Sequence, residues 1–412
     1  VNGYSTVAIN ANSVTTLTGT NAEIVAAYAA DTASTVILDG DAKLTVSDSI
    51  THTQANVLDA VTTGIVTATI STTAIADLDD LTGTGNAYTI TVGDSSVTAA
   101  ALNTVNAATT VNVTATAVTQ ITGSAAELAT TFGGGITGLG GETIVLTDTT
   151  LAAATLTPIV NGYSTVAINA NSVTTLTGTN AEIVAAYAAD TASTVILDGD
   201  AKLTVSDSIT HTQANVLDAV TTGIVTATIS TTAIADLDDL TGTGNAYTIT
   251  VGDSSVTAAA LNTVNAATTV NVTATAVTQI TGSAAELATT YGGGMTGLGD
   301  ETIILTDTTL AAATLTPTVN GYSTVAINAN SVTTLTGTNA EIVAAYAADT
   351  ASTVILDGDA KLTVSDSITH TQANVLDAVT TGIVTATIST TAIADLDDLT
   401  GTGNAYTITV GD

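Results

Sequence analysis

Apolar positions follow two alternating rhythms along the chain. Short runs such as Thr6-Val7-Ala8-Ile9, Val36-Ile37-Leu38, Ile65-Val66-Thr67-Ala68-Thr69-Ile70 and Tyr88-Thr89-Ile90-Thr91-Val92 are rich in Val, Ile, Thr and Tyr. These residue types suit pleated, half-buried strands. Between them lie stretches rich in Ala and Leu, beginning with Asn21 to Ala30; these residues cost least in a helix. The pattern predicts a recurring unit of strand, short turn, strand and short Ala-rich helix.

Six such units follow one another. The first runs Thr6 to Ile9, turns at Asn10-Ala11-Asn12, continues Val14 to Leu17 and enters a helix at Asn21. Thr20 with Glu23 three residues on fits a capping box, each side chain serving the other's amide. The second has Val36 to Leu38, the turn Asp39-Gly40-Asp41, Leu44 to Val46 and a helix near Thr51 to Val61, with Asp48 or Ser49 placed to cap it. The third has Ile65 to Ile70 and a helix around Ala74 to Leu81. The fourth has Tyr88 to Val92 and a helix over Val97 to Ala108 behind Asp94-Ser95-Ser96. The fifth has Val111 to Ala115, Val118 to Ile121 and a helix opened by Ser124-Ala125-Ala126-Glu127, a second capping box. The sixth has Glu142 to Leu146 and a helix over Thr150 to Leu156 behind Asp148, and Pro158 marks a stop.

After the sixth unit the text starts again. Val1-Asn2-Gly3-Tyr4 returns at Val160 and at Val319, a period of 159 residues. Residues 1–159 and 160–318 differ at five positions: Phe132/Tyr291, Ile136/Met295, Gly141/Asp300, Val145/Ile304 and Ile159/Thr318. The third copy, 319–412, stops after 94 residues, as expected of a segment of something longer. Six units in 159 residues give 26.5 per unit, within the range of solenoid coils that carry a strand and a short helix. One unit cannot bury its own apolar side, so stacking is required. The predicted fold is therefore a repeat α/β solenoid of six coils per complete copy. Helices pack more widely than strands, which predicts a curved or superhelical stack. The alternative is a string of small separate β-rich domains.

Composition narrows the function. The chain holds 37 acidic residues against three Lys and no Arg, a formal charge of −34. Phosphate binding needs clustered cationic side chains, so nucleic acid is excluded as a partner, and anionic membrane surfaces with it. The longest apolar run, about Ile24 to Ala30, is far too short to insert in a membrane. At 45% hydrophobic and 10% charged, the chain is not disordered in type. Cysteine is absent, which a stacked array tolerates.

Candidate chemistry is sparse. One His occurs per copy (His52, His211, His370), near a helix start and without Cys or a second His beside it. A cap or surface role fits better than a base, which would need an orienting acid and a nucleophile, and the chain reads as not an enzyme. The acidic turns are better candidates. Asp39 and Asp41 flank Gly40, and Asp77, Asp79 and Asp80 cluster on a short helix with Asp94 following. Calcium takes Asp and carbonyl oxygens, so these are candidate calcium ligands, although the EF-hand and nonapeptide patterns are absent. The bland reading is that they cap helices, fill turns and keep a β-stack soluble. Thr67-Ala68-Thr69, Thr89-Ile90-Thr91 and Thr114-Ala115-Thr116 put hydroxyls on one strand face, which raises ice binding as a minor alternative. Their uneven placement in the coil and the intervening helices argue against a flat face. Gly133-Gly134-Gly135 lacks the Lys of a phosphate loop and reads as a turn.

Leu17-Thr18-Gly19-Thr20-Asn21-Ala22-Glu23-Ile24-Val25-Ala26-Ala27-Tyr28-Ala29 and the run from Gly138 to Ala153 resemble repeats of giant bacterial cell-surface proteins. The resemblance is to the marine cyanobacterial type, which includes the large surface protein linked to non-flagellar swimming. It implies a secreted, very long surface protein in adhesion, motility or coating, with no catalytic residues to carry over. The expected function is a structural segment of an extracellular, cell-surface repeat protein: fibre, stalk, sheath or coat. The alternative is an adhesin or calcium-stiffened extender. Expected partners are other copies of itself, laterally or end to end, and divalent cations.

Overall fold

The computed structural model describes residues 5–156, 162–316 and 319–411. Pro158 and the Ile159/Thr318 difference lie outside the described residues. Contacts divide the chain into two compact units, Val1–Ser206 with Val220–Gly223, and Asp207–Ala219 with Ile224–Asp412. Each is a repeat α/β solenoid of parallel strands and short helices, with no closed barrel among the described residues.

In the first unit the coils run β1 (Ile9–Ala11), β2 (Thr16–Gly19), α1 (Asn21–Thr32); β3 (Val36–Leu38), β4 (Lys43–Ile50), α2 (His52–Val61); and β5 (Val66–Ile70), α3 (Ile75–Leu78). They continue β6 (Ala87–Thr89), β7 (Ser96–Thr98), α4 (Ala99–Ala107); β8 (Gln120–Gly123), α5 (Ala125–Gly133); and β9 (Thr143–Leu146), β10 (Thr150–Ala152), α6 (Ala153–Thr155). The second copy opens with β11 (Ile168–Ala170), β12 (Thr175–Gly178), α7 (Asn180–Thr191) and β13 (Val195–Leu197). Strand orders are β1-β3, β2-β4-β5-β6 and β7-β8-β9-β11-β13, and β10 pairs with β12. Every pair is parallel and joins one coil to the next.

Register makes apolar ladders. Leu17 stands beside Leu44 and Leu44 beside Val66; Ile121 stands beside Ile144; Leu151 stands beside Leu176 and Leu176 beside Leu203. Strand β5 shows the pleat plainly, with Val66, Ala68 and Ile70 buried and Thr67 and Thr69 exposed. Leu58, Leu102 and Leu128 fill the space between strands and helices and are fully buried. Each such side chain contributes about 1.5–3 kcal/mol of burial.

The stack passes through the copy junction. In the first unit β9 pairs with β11, β10 with β12, and α6 packs on α7. In the second, Thr302–Leu305 pairs with Ile327–Ala329, Thr309–Ala311 with Thr334–Gly337, and helix Ala312–Leu315 packs on Asn339–Thr350. A string of separate small domains therefore describes neither unit.

Side chains stitch coil to coil. Thr62 Oγ1 donates to the Ala42 carbonyl at 2.7 Å, Thr109 Oγ1 to that of Tyr88 at 2.7 Å and Ser172 Oγ to that of Leu146 at 2.6 Å. Asn56 and Asn103, on helices, donate to the carbonyls of Asp80 and Glu127, both at 2.9 Å. The backbones approach so closely that a Cβ on Gly64 would lie 2.3 Å from the Asp41 carbonyl oxygen and 2.6 Å from that of Ala42.

Several expectations are corrected. The second strand of the first coil is Thr16–Gly19, not Val14 to Leu17. Helix α3 spans only Ile75–Leu78 instead of Ala74 to Leu81. Val97 and Thr150 lie on strands, so α4 starts at Ala99 and α6 is a single turn from Ala153. Around Val111 to Ala115 the ladder shrinks to isolated bridges at Thr109 and Thr114. Both capping boxes are present, Thr20 with Glu23 and Ser124 with Glu127. Helix α2, however, is capped by a box of Thr51 and Gln54, and α4 by Thr98.

The aspartates assigned to their own helices serve the preceding coil instead. Asp48 accepts from the Asn21 amide at 2.8 Å, Asp94 from Ile75 at 2.6 Å and Asp148 from Ala125 at 2.8 Å. Each carboxylate thus meets the first amide of a helix one coil back, where the helix dipole favours negative charge. Asp148→Ala is expected to lower stability by about 1 kcal/mol, the usual worth of a lost helix cap. Asp80→Ala, at a residue that offers its backbone carbonyl and, among the described residues, no side-chain hydrogen bond, should change it by under about 0.5 kcal/mol. Urea unfolding of the two variants checks the difference.

Candidate functional site

The sequence offered the His, the acidic turns, the Gly run and the Thr pairs, and the fold places each. His52 opens α2. Its amide lies 3.1 Å from Thr72 Oγ1, its Nδ1 3.3 Å from the same hydroxyl, and its Nε2 3.0 Å from Thr53 Oγ1. His211 and His370 repeat the arrangement with Thr231 and Thr212, and with Thr390 and Thr371. The imidazole is bracketed by hydroxyls and joins two coils. Among the described residues no carboxylate bonds the ring, as orienting it for a base would require.

Asp39-Gly40-Asp41 forms the turn between β3 and β4. Its backbone does the holding: the Gly40 carbonyl accepts from the Thr63 amide at 2.9 Å. In the third copy the equivalent carboxylates interact. Asp357 Oδ1 accepts from the Asp359 amide at 3.4 Å, and a hydrogen bond and charge repulsion from Asp357 raise the Asp359 carboxyl above its ordinary value. Asp77 lies in the first turn of α3, Asp79 follows as its C-terminal cap, and Asp80 offers its carbonyl to Asn56. Among the described residues no three His, Cys, Asp or Glu side chains converge as a metal-ligating group, whereas calcium takes six to eight oxygens.

Gly133-Gly134-Gly135 ends α5, with Gly134 at the C-cap and Gly135 at φ 73°. The nearby copy differences have physical partners. Phe132 stacks on Tyr163, ring centres 4.6 Å apart, and Tyr291 stacks equally on Tyr322. The extra hydroxyl of Tyr291 donates to the buried Glu301 carboxylate at 2.9 Å, and Asp300 accepts from Thr324 Oγ1 at 2.6 Å. Burial, then the bond and the charge of Glu301, push the Tyr291 phenol far above its ordinary value.

The Thr pairs are better ordered than their spacing suggested. Parallel register aligns Thr67 with Thr45, Thr69 with Ser49 and Thr89, and Thr91 with Thr114, on the exposed side of the strands. The uneven sequence spacing is absorbed by a register shift between Thr45 and Ser49. The helices pack on the opposite, buried side, so they do not interrupt this face.

No family model matches the chain, and comparisons with curated proteins and with solved structures find no match. No helix among the described residues is long and apolar enough to cross a membrane.

Two measurements probe the charges. The Thr20 amide and hydroxyl hold the Glu23 carboxyl below its usual 4.5. A lowered folded pKa gives stability that is present above the unfolded value and is lost as pH falls through the folded one. Thr20→Ala should therefore raise the Glu23 midpoint toward 4.5 in an NMR titration. The stability gap between variant and wild type should narrow on acidification through that range. Thermal melting in calcium tests the acidic turns. With no convergent ligand set, calcium and magnesium at equal ionic strength should shift the midpoint alike, by screening. A calcium-specific rise would reveal a site.

Proposed function

We propose that the chain is a structural segment of a long extracellular, cell-surface repeat protein, acting as a fibre, stalk, sheath or coat and not as an enzyme. One observation carries this reading. Strand ladders and the helix layer run through both copy junctions, within each unit. Adding a copy therefore extends a stack instead of adding a separate globule, and length is what such repetition supplies. The formal charge of −34 and the absence of cysteine suit an exposed, salt-screened setting. The resemblance of the Leu17 to Ala29 and Gly138 to Ala153 phrases to repeats of bacterial surface proteins points the same way. Lateral partners would be further copies of the chain, with divalent cations offsetting their mutual repulsion.

Small-angle scattering on chains of one, two and three complete copies tests the extension. The maximum dimension should grow by a constant step of about 29 Å per copy, six coils at the parallel-strand spacing. Growth characteristic of flexibly tethered beads would overturn the reading. Antibody labelling of intact source cells tests location, and labelling only after lysis would remove the surface assignment.

A further inference from the structure

Threonines in this molecule fall into two populations. One set is used internally: Thr62, Thr109 and Thr119 donate to carbonyls of the neighbouring coil, and Thr131 to the Glu127 carbonyl of its own helix. The other set stands in ranks on the exposed strand face. Thr18, Thr45 and Thr67 are in register across three coils; Ser49, Thr69 and Thr89 form the next rank; Thr91, Thr114 and Thr137 form a third. Coil three contributes Thr67 and Thr69 to two ranks, and coil four contributes Thr89 and Thr91, so the ranks join into one array. Among the described residues only Thr137 of these nine makes a side-chain hydrogen bond within the chain, to the Val113 carbonyl at 3.2 Å.

The array recurs. In the third copy Thr363 and Thr385 are in register, as are Ser367, Thr387 and Thr407; Thr336, beside Thr363, is half-buried and donates to the Leu310 carbonyl at 3.5 Å. In the second copy Thr250, Thr273 and Thr296 repeat the third rank.

We propose that this face binds ice. The register sets hydroxyls about 4.8 Å apart between strands and about 6.6 Å apart along a strand. Branching at Cβ restricts the Thr rotamers, so hydroxyls and methyls are fixed before any ligand arrives. Waters held by such a grid form an ordered layer, and a growing ice surface can add to that layer with little further ordering. The ranks contain no charged residue. Lys43 stands at their edge beside Thr16, and the Asp48 carboxylate, next to Ser49, is engaged by the Asn21 amide. The chemistry also disfavours a sugar as ligand, because the face offers no aromatic platform: Tyr88, on the same strand, points inward and is buried.

The test is slow growth of an ice front through a solution of the 412-residue protein, with ice-recrystallisation assays alongside. The wild type should enter the ice and arrest recrystallisation. A triple variant, Thr69→Lys with Thr228→Lys and Thr387→Lys, should lose both activities. Thr130→Lys with Thr289→Lys, on helices away from the face, should retain them. The triple Thr→Val variant at the same three face positions keeps strand shape and propensity, so circular dichroism should show it folded while its ice incorporation falls. Exclusion of the wild type from ice overturns the proposal. So does equal incorporation of the folded face variants, or retention of the protein on crystalline cellulose but not in ice.

Discussion

A coil in this chain has no interior of its own, and it closes only against its neighbour. That one constraint organises the rest. Leu44 is buried because Leu17 lies on one side of it and Val66 on the other. The same closure explains why small residues prevail. Gly64 sits where any side chain would strike the Asp41 and Ala42 carbonyls, and a Cβ on Gly123 would come within 2.7 Å of the Ala99 methyl. A stack of nearly identical coils satisfies such contacts repeatedly with little sequence invention, which suits copies differing at five positions. The described differences near the junction also keep to the constraint. Tyr291 and Asp300 each bring a new polar group, and each finds a partner in the coil that follows.

Charge obeys the same rule. A chain at −34 would be expected to spread its carboxylates over the surface to limit repulsion. Several are instead committed to helix starts. Glu23 and Glu127 close capping boxes in their own coils, while Asp48, Asp94 and Asp148 reach back to the preceding coil's first amide. Backbone amides and helix dipoles thus do the compensating that basic side chains do elsewhere. Asp31 and Asp59 are committed elsewhere, accepting from the Leu38 amide at 2.7 Å and the Asn86 side chain at 2.8 Å, while Asp77, Asp79 and Asp80 stand on or beside the short helix α3.

How much of this was legible in the sequence follows from the distance between partners. The strand and helix units and the boxes of Thr20 with Glu23 and Ser124 with Glu127 depend on residues three apart, and these were read directly. The Thr51 and Gln54 box carried the same spacing and was missed because Asp48 and Ser49 stood just upstream as stronger acceptors. Asp48 in fact lies in the register shift of β4, aimed one coil back. Such pairings span 19 to 27 residues, and no local pattern announces them. The alignment of the Thr ranks is hidden from the sequence for a related reason. Their order is a property of register, and register depends on turn lengths and on a bulge that the spacing of Thr alone conceals. Strands β7 and β10 read as helix because Val97 and Leu151 adjoin alanine runs, while their strand partners, Ile121 and Leu176, lie a coil away.

The remaining difficulty is geometric. Stacked strands advance about 4.8 Å per coil, whereas packed helices want about 8–10 Å. In the first copy helix lengths run 12, 10, 4, 9, 9 and 3 residues. Every third coil therefore reduces its helix to a single turn. In the second copy the helices Ile234–Leu237 and Ala312–Leu315 keep the same rhythm at four residues each. The short turns of the first copy are also the helices whose own N-cap residues, Ala74 and Ala152, offer no capping side chain. A full helix at every level would crowd one side of the stack, and thinning that side at every third level relieves the crowding while the strand ladders continue. Between long neighbours the contact is made by small groups, with Asn103 and Thr131 bonding across α4 and α5 at 2.8 Å. The 159-residue period thus contains two sets of long, long and short helices, and the unequal coil lengths that blur the repeat in sequence are part of what lets helices and strands share one stack.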